Sequence, residues 1–555
     1  MRTELEVRVE GMTCEHCARS VERALSALPE VETAAISYEA GGGRVLLRNR
    51  VELRRLEGAV AELGYRLRVV SQEEASSPPR EADAALPGEL LIIGGGSAAF
   101  AAAIRAAELG ARVTIVEKGT IGGTCVNVGC VPSKTLIKAA QLYFERSHHG
   151  FRGIPAGDGP VDLAALIADK DELVGRLRRE KYEDVLAAYD GVEYVTGTAR
   201  FLDPHTVEIH GREGRRSIRA KRILIATGAR PWVAPLPGLQ NTPYWTHIEA
   251  LRARELPRRL LVVGGSAVGV ELAQMYRRLG SEVVLLEALP TLLPAEDPEV
   301  GELLAECLEE EGVEVHTGVR IDSVTYAPEP GFRLTASAGD AAIEVTGDRL
   351  LMATGRRANT AGLGLEAAGV EVDARGAVVV NEYLRTSQPH IYAAGDCAAL
   401  PQFVYVAARA GTIAAEHALT EGGKKLDLSV LPRVTFTDPQ VASVGLTEAK
   451  ARERGWETET RTLPMAYVPR ALANRDPRGL IKILVRGSDQ RILGVTVVSP
   501  QAGEVIQTAA LAIRCGLTVG DLAESFFPYL TEVEGLKLAA QTFTKDVKHL
   551  SCCAG

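Results

Sequence analysis

Leu91-Ile92-Ile93-Gly94-Gly95-Gly96-Ser97-Ala98-Ala99 decides how the long part of this chain folds. An unbroken apolar run enters Gly-x-Gly-x-x-Ala, the pattern of a buried strand that turns sharply into a helix. Gly94 permits the tight turn, Gly96 lets backbone approach a pyrophosphate, and small Ala99 lets the helix pack close to the strand. The helix then faces the phosphates with the positive end of its dipole. Val113-Thr114-Ile115-Val116-Glu117 reads as the next strand. Glu117 falls 21 residues after Gly96, about where an acid grips ribose hydroxyls. The glycine pattern alone is weak; strand, helix and acid in the right order make it a dinucleotide site.

A second unit repeats the design. Leu261-Val262-Val263-Gly264-Gly265-Ser266-Ala267-Val268-Gly269 has Ser266 where the middle glycine belongs. Serine is small, and its own N–H can still face phosphate. Val283–Glu287 supplies an acid 18 residues after Gly269. An acid there suits a ribose 2′-hydroxyl and repels a 2′-phosphate, which favours NADH over NADPH. Two such sites point to one hydride donor and one bound flavin. Ile223–Gly228 and Leu351–Gly355 are strand-to-glycine turns at matching places after each unit, and Tyr392-Ala393-Ala394-Gly395-Asp396 adds a turn whose acid, Asp396, reads as a flavin contact.

Outward from these units, the chain of 555 residues has room for about three to five domains. Hydrophobic residues at 46% and charged residues at 24% exclude a disordered or collagen-like chain. A net charge of −9 offers no global field for nucleic acid. No run of about 18 apolar residues exists, so no membrane span is expected. Met1–Val7 alternates charged and apolar residues without the apolar core of a secretory signal, so a cytoplasmic location and reduced thiols are expected.

Residues 1–70 read as a separate unit of order βαββαβ, which is ferredoxin-like. Its strands are expected at Leu5–Val9, Val31–Tyr38, Arg44–Leu47 and Tyr65–Val70. One helix carries Val21, Ala24, Leu25 and Leu28, and a second covers Leu53–Leu63. Residues 71–88, rich in Pro, Ser and acids, read as a linker. Beyond 89, strands alternate with helices as in parallel α/β layers. From about 431, antiparallel strands appear instead, at Val434–Phe436, Leu480–Val485 and Ile492–Val498, with helices at Ala502–Ile513 and Val519–Ala523.

The nine cysteines are too few for a disulfide scaffold. Gly122-Gly123-Thr124-Cys125-Val126-Asn127-Val128-Gly129-Cys130-Val131-Pro132-Ser133-Lys134 follows the first ribose-binding strand. Cys125 and Cys130 lie five residues apart at a helix start, close enough to bridge, where a helix N-terminus favours a thiolate. Buried structural cysteines are the bland alternative, and the glycine content argues against it. At the front, Gly11-Met12-Thr13-Cys14-Glu15-His16-Cys17 presents two thiolates at a helix start. Two thiolates suit a soft ion wanting few ligands; a thioredoxin-like dithiol is the rival. The chain ends in His549-Leu550-Ser551-Cys552-Cys553-Ala554-Gly555, an unusual adjacent pair near the terminus, for which incidental cysteines in a mobile tail are the bland alternative. Cys307, Cys397 and Cys515 read as buried or incidental.

With these motifs in hand, residues from about 89 to 555 resemble the pyridine nucleotide–disulfide oxidoreductase family, and residues 1–70 resemble the heavy-metal-associated domain. The resemblance implies a homodimer of multidomain α/β and α+β class. Its parts are a metal domain (1–70), a linker (71–88), a Rossmann-like FAD domain (89–240 and 356–430), a Rossmann-like NAD(P) domain (241–355) and an α+β dimerisation domain (431–555). It implies FAD bound through Gly94, Gly96, Ala99, Glu117, Gly123, Thr124, Lys134 and Asp396, and NADPH or NADH through Gly264, Ser266, Gly269 and Glu287. Cys130 becomes the thiol nearest the flavin and Cys125 the outer, interchange thiol. Lys134 and Glu271 become the ion pair beside the flavin, and Asp396 the contact to its ribityl chain. Ala267 stands where some relatives carry a tyrosine over the flavin.

Disulfide reductases of the family end in His-Pro-x-x-x-Glu, whose His protonates a leaving thiolate. Here the stretch is Phe527-Pro528-Tyr529-Leu530-Thr531-Glu532, and phenylalanine carries no proton. The front dithiol, the dithiol beside the flavin, the missing His and the Cys-Cys tail together resemble the mercury-reducing flavoproteins of the family. That implies Hg(II) as substrate, bound by Cys14, Cys17, Cys125, Cys130, Cys552 and Cys553 and reduced to Hg(0). Tyr182 and Tyr529 would line the site, with core packing the alternative for Tyr182. Thiol-bound Hg(II), handed over by other mercury carriers, would be the partner, with no nucleic acid. A lipoamide- or glutathione-type disulfide reductase and a non-enzymatic Cu(I) or Hg(II) trafficking protein are the competing readings.

Overall fold

The computed structural model describes residues 3–12, 15–38, 40–47, 53–74, 89–157, 159–212, 214–546 and 548. Cys14, Cys552, Cys553 and the linker from residue 75 onward lie outside the described residues. The chain divides into two compact units, Met1–Leu86 and Pro87–Gly555.

In the first unit β1 (Thr3–Glu10), α1 (Glu15–Ser26), β2 (Val31–Ser37), β3 (Gly42–Leu47), α2 (Leu53–Ala61) and β4 (Arg66–Glu74) follow in the ferredoxin-like order. The sheet is antiparallel, ordered β2-β3-β1-β4. Alternation along β1 buries Leu5, Val7 and Val9 and exposes Glu6, Arg8 and Glu10. The buried face meets Val21 and Leu25 of α1 and Leu56 and Val60 of α2 in one apolar core. One boundary differs from the sequence reading. Residues 71–74, assigned to the linker by their polarity, extend β4, because β1 reaches back to Thr3 and offers them backbone partners (Glu6 with Ser71, Thr3 with Glu74). Ladder hydrogen bonds join main-chain groups and are indifferent to side-chain polarity.

The second unit holds three larger sheets. The first is parallel, with β5 (Glu89–Ile93), β6 (Arg112–Glu117), β7 (Val192–Thr196), β8 (Arg222–Ile225) and a late strand from Ile391–Ala393 arranged as Ile391–Ala393, β8, β5, β6, β7. Leu90, Leu91, Ile92 and Ile93 are all buried, as a strand covered on both faces requires. The order reverses at β5, so a crevice opens at its carboxyl end. From that end the chain turns into α3 (Ser97–Glu108). The second sheet, also parallel, contains β9 (Arg259–Val263), β10 (Glu282–Leu286), β11 (Val313–His316) and β12 (Arg349–Met352) in the order β11-β10-β9-β12, with α4 (Ala267–Leu279) leaving β9. The third is antiparallel, with strands Arg433–Thr435, Gln440–Gly445, Ile492–Ser499, Leu480–Arg486 and Thr458–Pro464 side by side in that order. Helix Ala502–Arg514 packs on this last sheet through Val505, Ile506 and Ala509. Among the described residues no helix is long and apolar enough to cross a membrane.

The turn after β5 shows why glycine is required. Gly94 has φ +121°, and a Cβ there would overlap the carbonyl oxygen of Ala226 at the end of β8. Gly94→Ala adds left-handed strain of roughly 1–2 kcal/mol to that overlap. The thermal midpoint should therefore fall by at least about 1 °C. An unchanged melting curve for Gly94→Ala would contradict this close approach.

Candidate active site

The dithiol segment lies against the first nucleotide turn. After β6, Gly122 and Gly123 adopt φ +94° and +65° and start α5 (Gly123–Val128). A Cβ on Gly123 would sit 2.6 Å from Gly96 Cα, so glycine at 123 allows the two backbones to touch. Asn127 pins the loop by donating from Nδ2 to the carbonyls of Ile121 and Gly123, both at 2.9 Å, and accepts from Arg178 Nη1 at 3.1 Å. Cys125 is the third residue of α5. Cys130 opens the next helix, α6 (Cys130–Glu145), whose N-terminal dipole favours a thiolate.

Both thiols are free, and they hydrogen-bond to each other. The bond from Cys125 holds Cys130 down at about 7, with Lys134 and Arg356 adding positive potential against the opposing effect of burial. Cys125 is pushed upward by the same bond, by burial and by the charge on Cys130. One sulfur is thus a thiolate near neutrality while the other keeps its proton.

Lys134 lies one turn into α6 and donates from Nζ to Glu271 Oε2 at 2.6 Å. Glu271 is buried on α4 of the second parallel domain, and its Oε1 accepts the backbone N–H of Phe436 at 2.8 Å. The Phe436 ring lies under Lys134 Nζ at 4.8 Å. Tyr182 falls in a short π-helical turn, Arg179–Glu183. It packs edge-on against Phe100 at 4.6 Å, and bonds to Ser97. Burial pushes its phenol up, and the nearby thiols push it further. Tyr182 therefore packs in the core and lies close enough to the thiols to feel their charge.

Fit to the two nucleotides can be judged at the turns. Gly96 and Ser266 cap α3 and α4 in extended conformation without a side-chain hydrogen bond, leaving the first-turn N–H groups for phosphate. Glu117 accepts from the N–H groups of Gly95 and Gly119, each at 2.6 Å. Glu287 accepts from Gly265 and from Leu289, the latter at 2.7 Å. Ala99 is buried, and a Cβ on Gly269 would overlap the carbonyl oxygen of Gly264, so both helices press on their strands. Thr124 follows Gly123 inside α5. These residues fit FAD at the first turn and a nicotinamide nucleotide at the second.

Sequence reasoning missed Arg356. Its Nη2 donates to Asp396 Oδ2 at 3.0 Å and to the carbonyl of Ala229 at 3.2 Å. Burial raises the Asp396 carboxyl and Arg356 opposes it. Burial, helped by the same guanidinium, presses His247 down to about 4. Arg356 begins a short strand paired antiparallel with Ala229–Pro231, and nothing local announces a partner more than a hundred residues away.

Elsewhere, Cys17 is half-buried in α1. Cys307 and Cys397 are buried, and Cys515 is exposed. Tyr529 is exposed, next to Leu530 at φ +62°, and Phe527 packs on the core of the antiparallel domain. Glu532 is buried and accepts from Ser499 Oγ at 2.7 Å and Gln501 N at 2.9 Å, while its Oε1 has no partner among the described residues.

The thiol pair yields a pH test. Because the Cys130 value is lowered, its thiolate is present above pH 7 and is lost as pH falls through about 7. Ultraviolet thiolate absorbance of the reduced protein should titrate with a midpoint near 7. Cys125→Ala and Lys134→Met should each move that midpoint upward; a midpoint near 9 in the unaltered protein would contradict the assignment.

Comparison with known proteins extends this geometry. The family model "Pyridine nucleotide-disulphide oxidoreductase" matches residues 88–411, its dimerisation domain matches 431–540, and "Heavy-metal-associated domain" matches 6–66. A mercuric reductase of Acidithiobacillus ferrooxidans is 48% identical over 99% of both chains. One from Shigella flexneri is 47% identical over 99% of this chain and 100% of its own, and one from Streptomyces lividans is 48% identical over 84% of this chain and 98% of its own. Among solved structures, the HOCl-induced flavoprotein disulfide reductase RclA from Escherichia coli covers 82% of this chain and all of its own at 32% identity and a TM-score of 0.73. The chain belongs to the pyridine nucleotide-disulphide oxidoreductase family, and within it to the mercuric reductases.

Proposed function

We propose that this chain reduces thiol-bound Hg(II) to Hg(0) with NAD(P)H as electron donor, as a homodimer, with Cys125 and Cys130 as the site of reduction. The observation that carries the reading is the hydrogen-bonded Cys125–Cys130 pair beside Lys134, set against the first nucleotide turn. Phe527 supports it by removing the proton donor that dithiol-to-disulfide exchange needs.

Overall, Hg(SR)2, NAD(P)H and H+ give Hg(0), NAD(P)+ and two RSH. Bound at Gly94, Gly96 and Glu117, FAD supplies two-electron transfer between the nicotinamide and the dithiol side. The remaining work falls to protein groups. Both sulfurs must first be in the reduced form. The Cys130 thiolate attacks the metal as a third ligand, and one incoming thiolate leaves. Cys125 then displaces the second, its proton going to the departing sulfur. Two-coordinate Hg(II) tolerates a third sulfur before losing one, so each exchange has a low barrier. Tyr182, whose phenol holds its proton, can donate a hydrogen bond to a leaving thiolate. When two electrons reach the metal both Hg–S bonds break, the thiolates keep their electron pairs, and the neutral atom departs.

Delivery is assigned to the other pairs. Cys14 and Cys17 capture the ion at the front, and Cys552 and Cys553 of one subunit pass it to Cys125 and Cys130 of the other, with Tyr529 at the point of transfer. NAD(P)H oxidation with Hg(II) under excess thiol, followed together with release of volatile metal, tests the reading. Cys130→Ala should abolish turnover. Cys552→Ala with Cys553→Ala should lose at least about tenfold with thiol-bound Hg(II) while flavin reduction by NAD(P)H persists. Faster turnover of lipoamide than of Hg(II) would overturn the proposal.

A further inference from the structure

Glu287 ends β10 buried, and both of its carboxylate oxygens are held: Oε2 by the N–H of Gly265 and Oε1 by the N–H of Leu289. The same two bonds hold Glu117 in the first nucleotide unit, from Gly95 and Gly119. The two cradles are equivalent, N–H of the second turn glycine to one oxygen and N–H two residues past the acid to the other. In the first unit the ligand is FAD, whose adenine-side ribose carries free hydroxyls and no 2′-phosphate. A carboxylate fixed in this way keeps a lone pair on each oxygen, which can accept from a ribose hydroxyl. A 2′-phosphate has no hydrogen to give and brings its own negative charge against an acid that backbone bonds keep from swinging away.

From Glu287 to Val300 the chain contains no Lys or Arg to offset that repulsion, and the cations that meet the acids of this stretch are spent on them, Arg433 on Glu296 and Lys482 on Asp297 and Glu299. The basic side chains on the following strands are already committed: His316 to Glu314 at 2.9 Å, and Arg320 to Asp322 at 3.0 Å. The residue just after the acid, Ala288, is exposed and uncharged.

We infer that Glu287 selects NADH over NADPH as the physiological electron donor of this chain. The inference rests on the reading that the second unit takes a nicotinamide nucleotide, and leaves the identity of the metal substrate untouched. The test is calorimetric titration of the oxidised, FAD-loaded enzyme with NAD+ and with NADP+ at physiological ionic strength, without mercury. NAD+ should bind at least tenfold more tightly than NADP+. Glu287→Gln, close to isosteric, and Glu287→Ala should both shrink that ratio. Ala288→Arg, at an exposed position that does not threaten the fold, should strengthen NADP+ binding at least tenfold. Equal or tighter NADP+ binding by the unaltered enzyme, or a ratio insensitive to both Glu287 variants, overturns the inference alone. Failure of both nucleotides to bind overturns the reading beneath it as well.

Discussion

The contact between Gly96 and Gly123 places everything else. Two backbone segments meet with no side chain between them, and the 2.6 Å clearance for a Cβ at Gly123 leaves room for nothing but hydrogen. One segment is the phosphate turn of the first parallel domain, and the other starts the dithiol helix. Their approach fixes where Cys125 falls relative to the crevice, and a helix restart after Gly129 then brings Cys130 within hydrogen-bonding reach of it. Tyr182 and Asn127 brace the outer side of this junction, Tyr182 against Phe100 and Asn127 against the Ile121 and Gly123 carbonyls. The hydrogen bond between the two sulfurs divides one thiolate from one thiol and readies the pair to attack.

Buried charge then ties the three large sheets together. Glu271 belongs to the second parallel domain, its partner Lys134 to the first, and the N–H it also accepts, from Phe436, to the antiparallel one. A second network repeats the theme: Arg278 pairs with Glu311 and with Asp438, and Arg478 reaches the same two acids. Removing one member of such a buried set leaves an uncompensated charge, which costs far more than an exposed pair is worth. These networks act as joints whose geometry is specified by hydrogen bonds as well as by packing.

Much of this was legible in the residues themselves. Buried strands announce themselves as unbroken apolar runs, the phosphate turns by glycines that backbone geometry demands, and the front unit by strict alternation in β1. The twin acids Glu117 and Glu287 were legible by spacing, although their two-bond cradles were not. What escaped had a common cause. The partner of Asp396 is Arg356, which opens a short strand paired with Ala229–Pro231, a segment far away in sequence. The π turn that carries Tyr182 has no residue signature of its own. The extra strand residues 71–74 are polar, and their pairing comes from the main chain of β1. Local pattern reports local geometry; contacts that span domains are visible only once the chain is folded.

The front unit closes its apolar core entirely upon its own two helices and four strands, from Leu5 to Leu67. A module with an apolar core of its own can be gained or shed by recombination at little thermodynamic cost to its own fold. Selection is therefore free to treat the front unit as a cassette, added or removed as a whole.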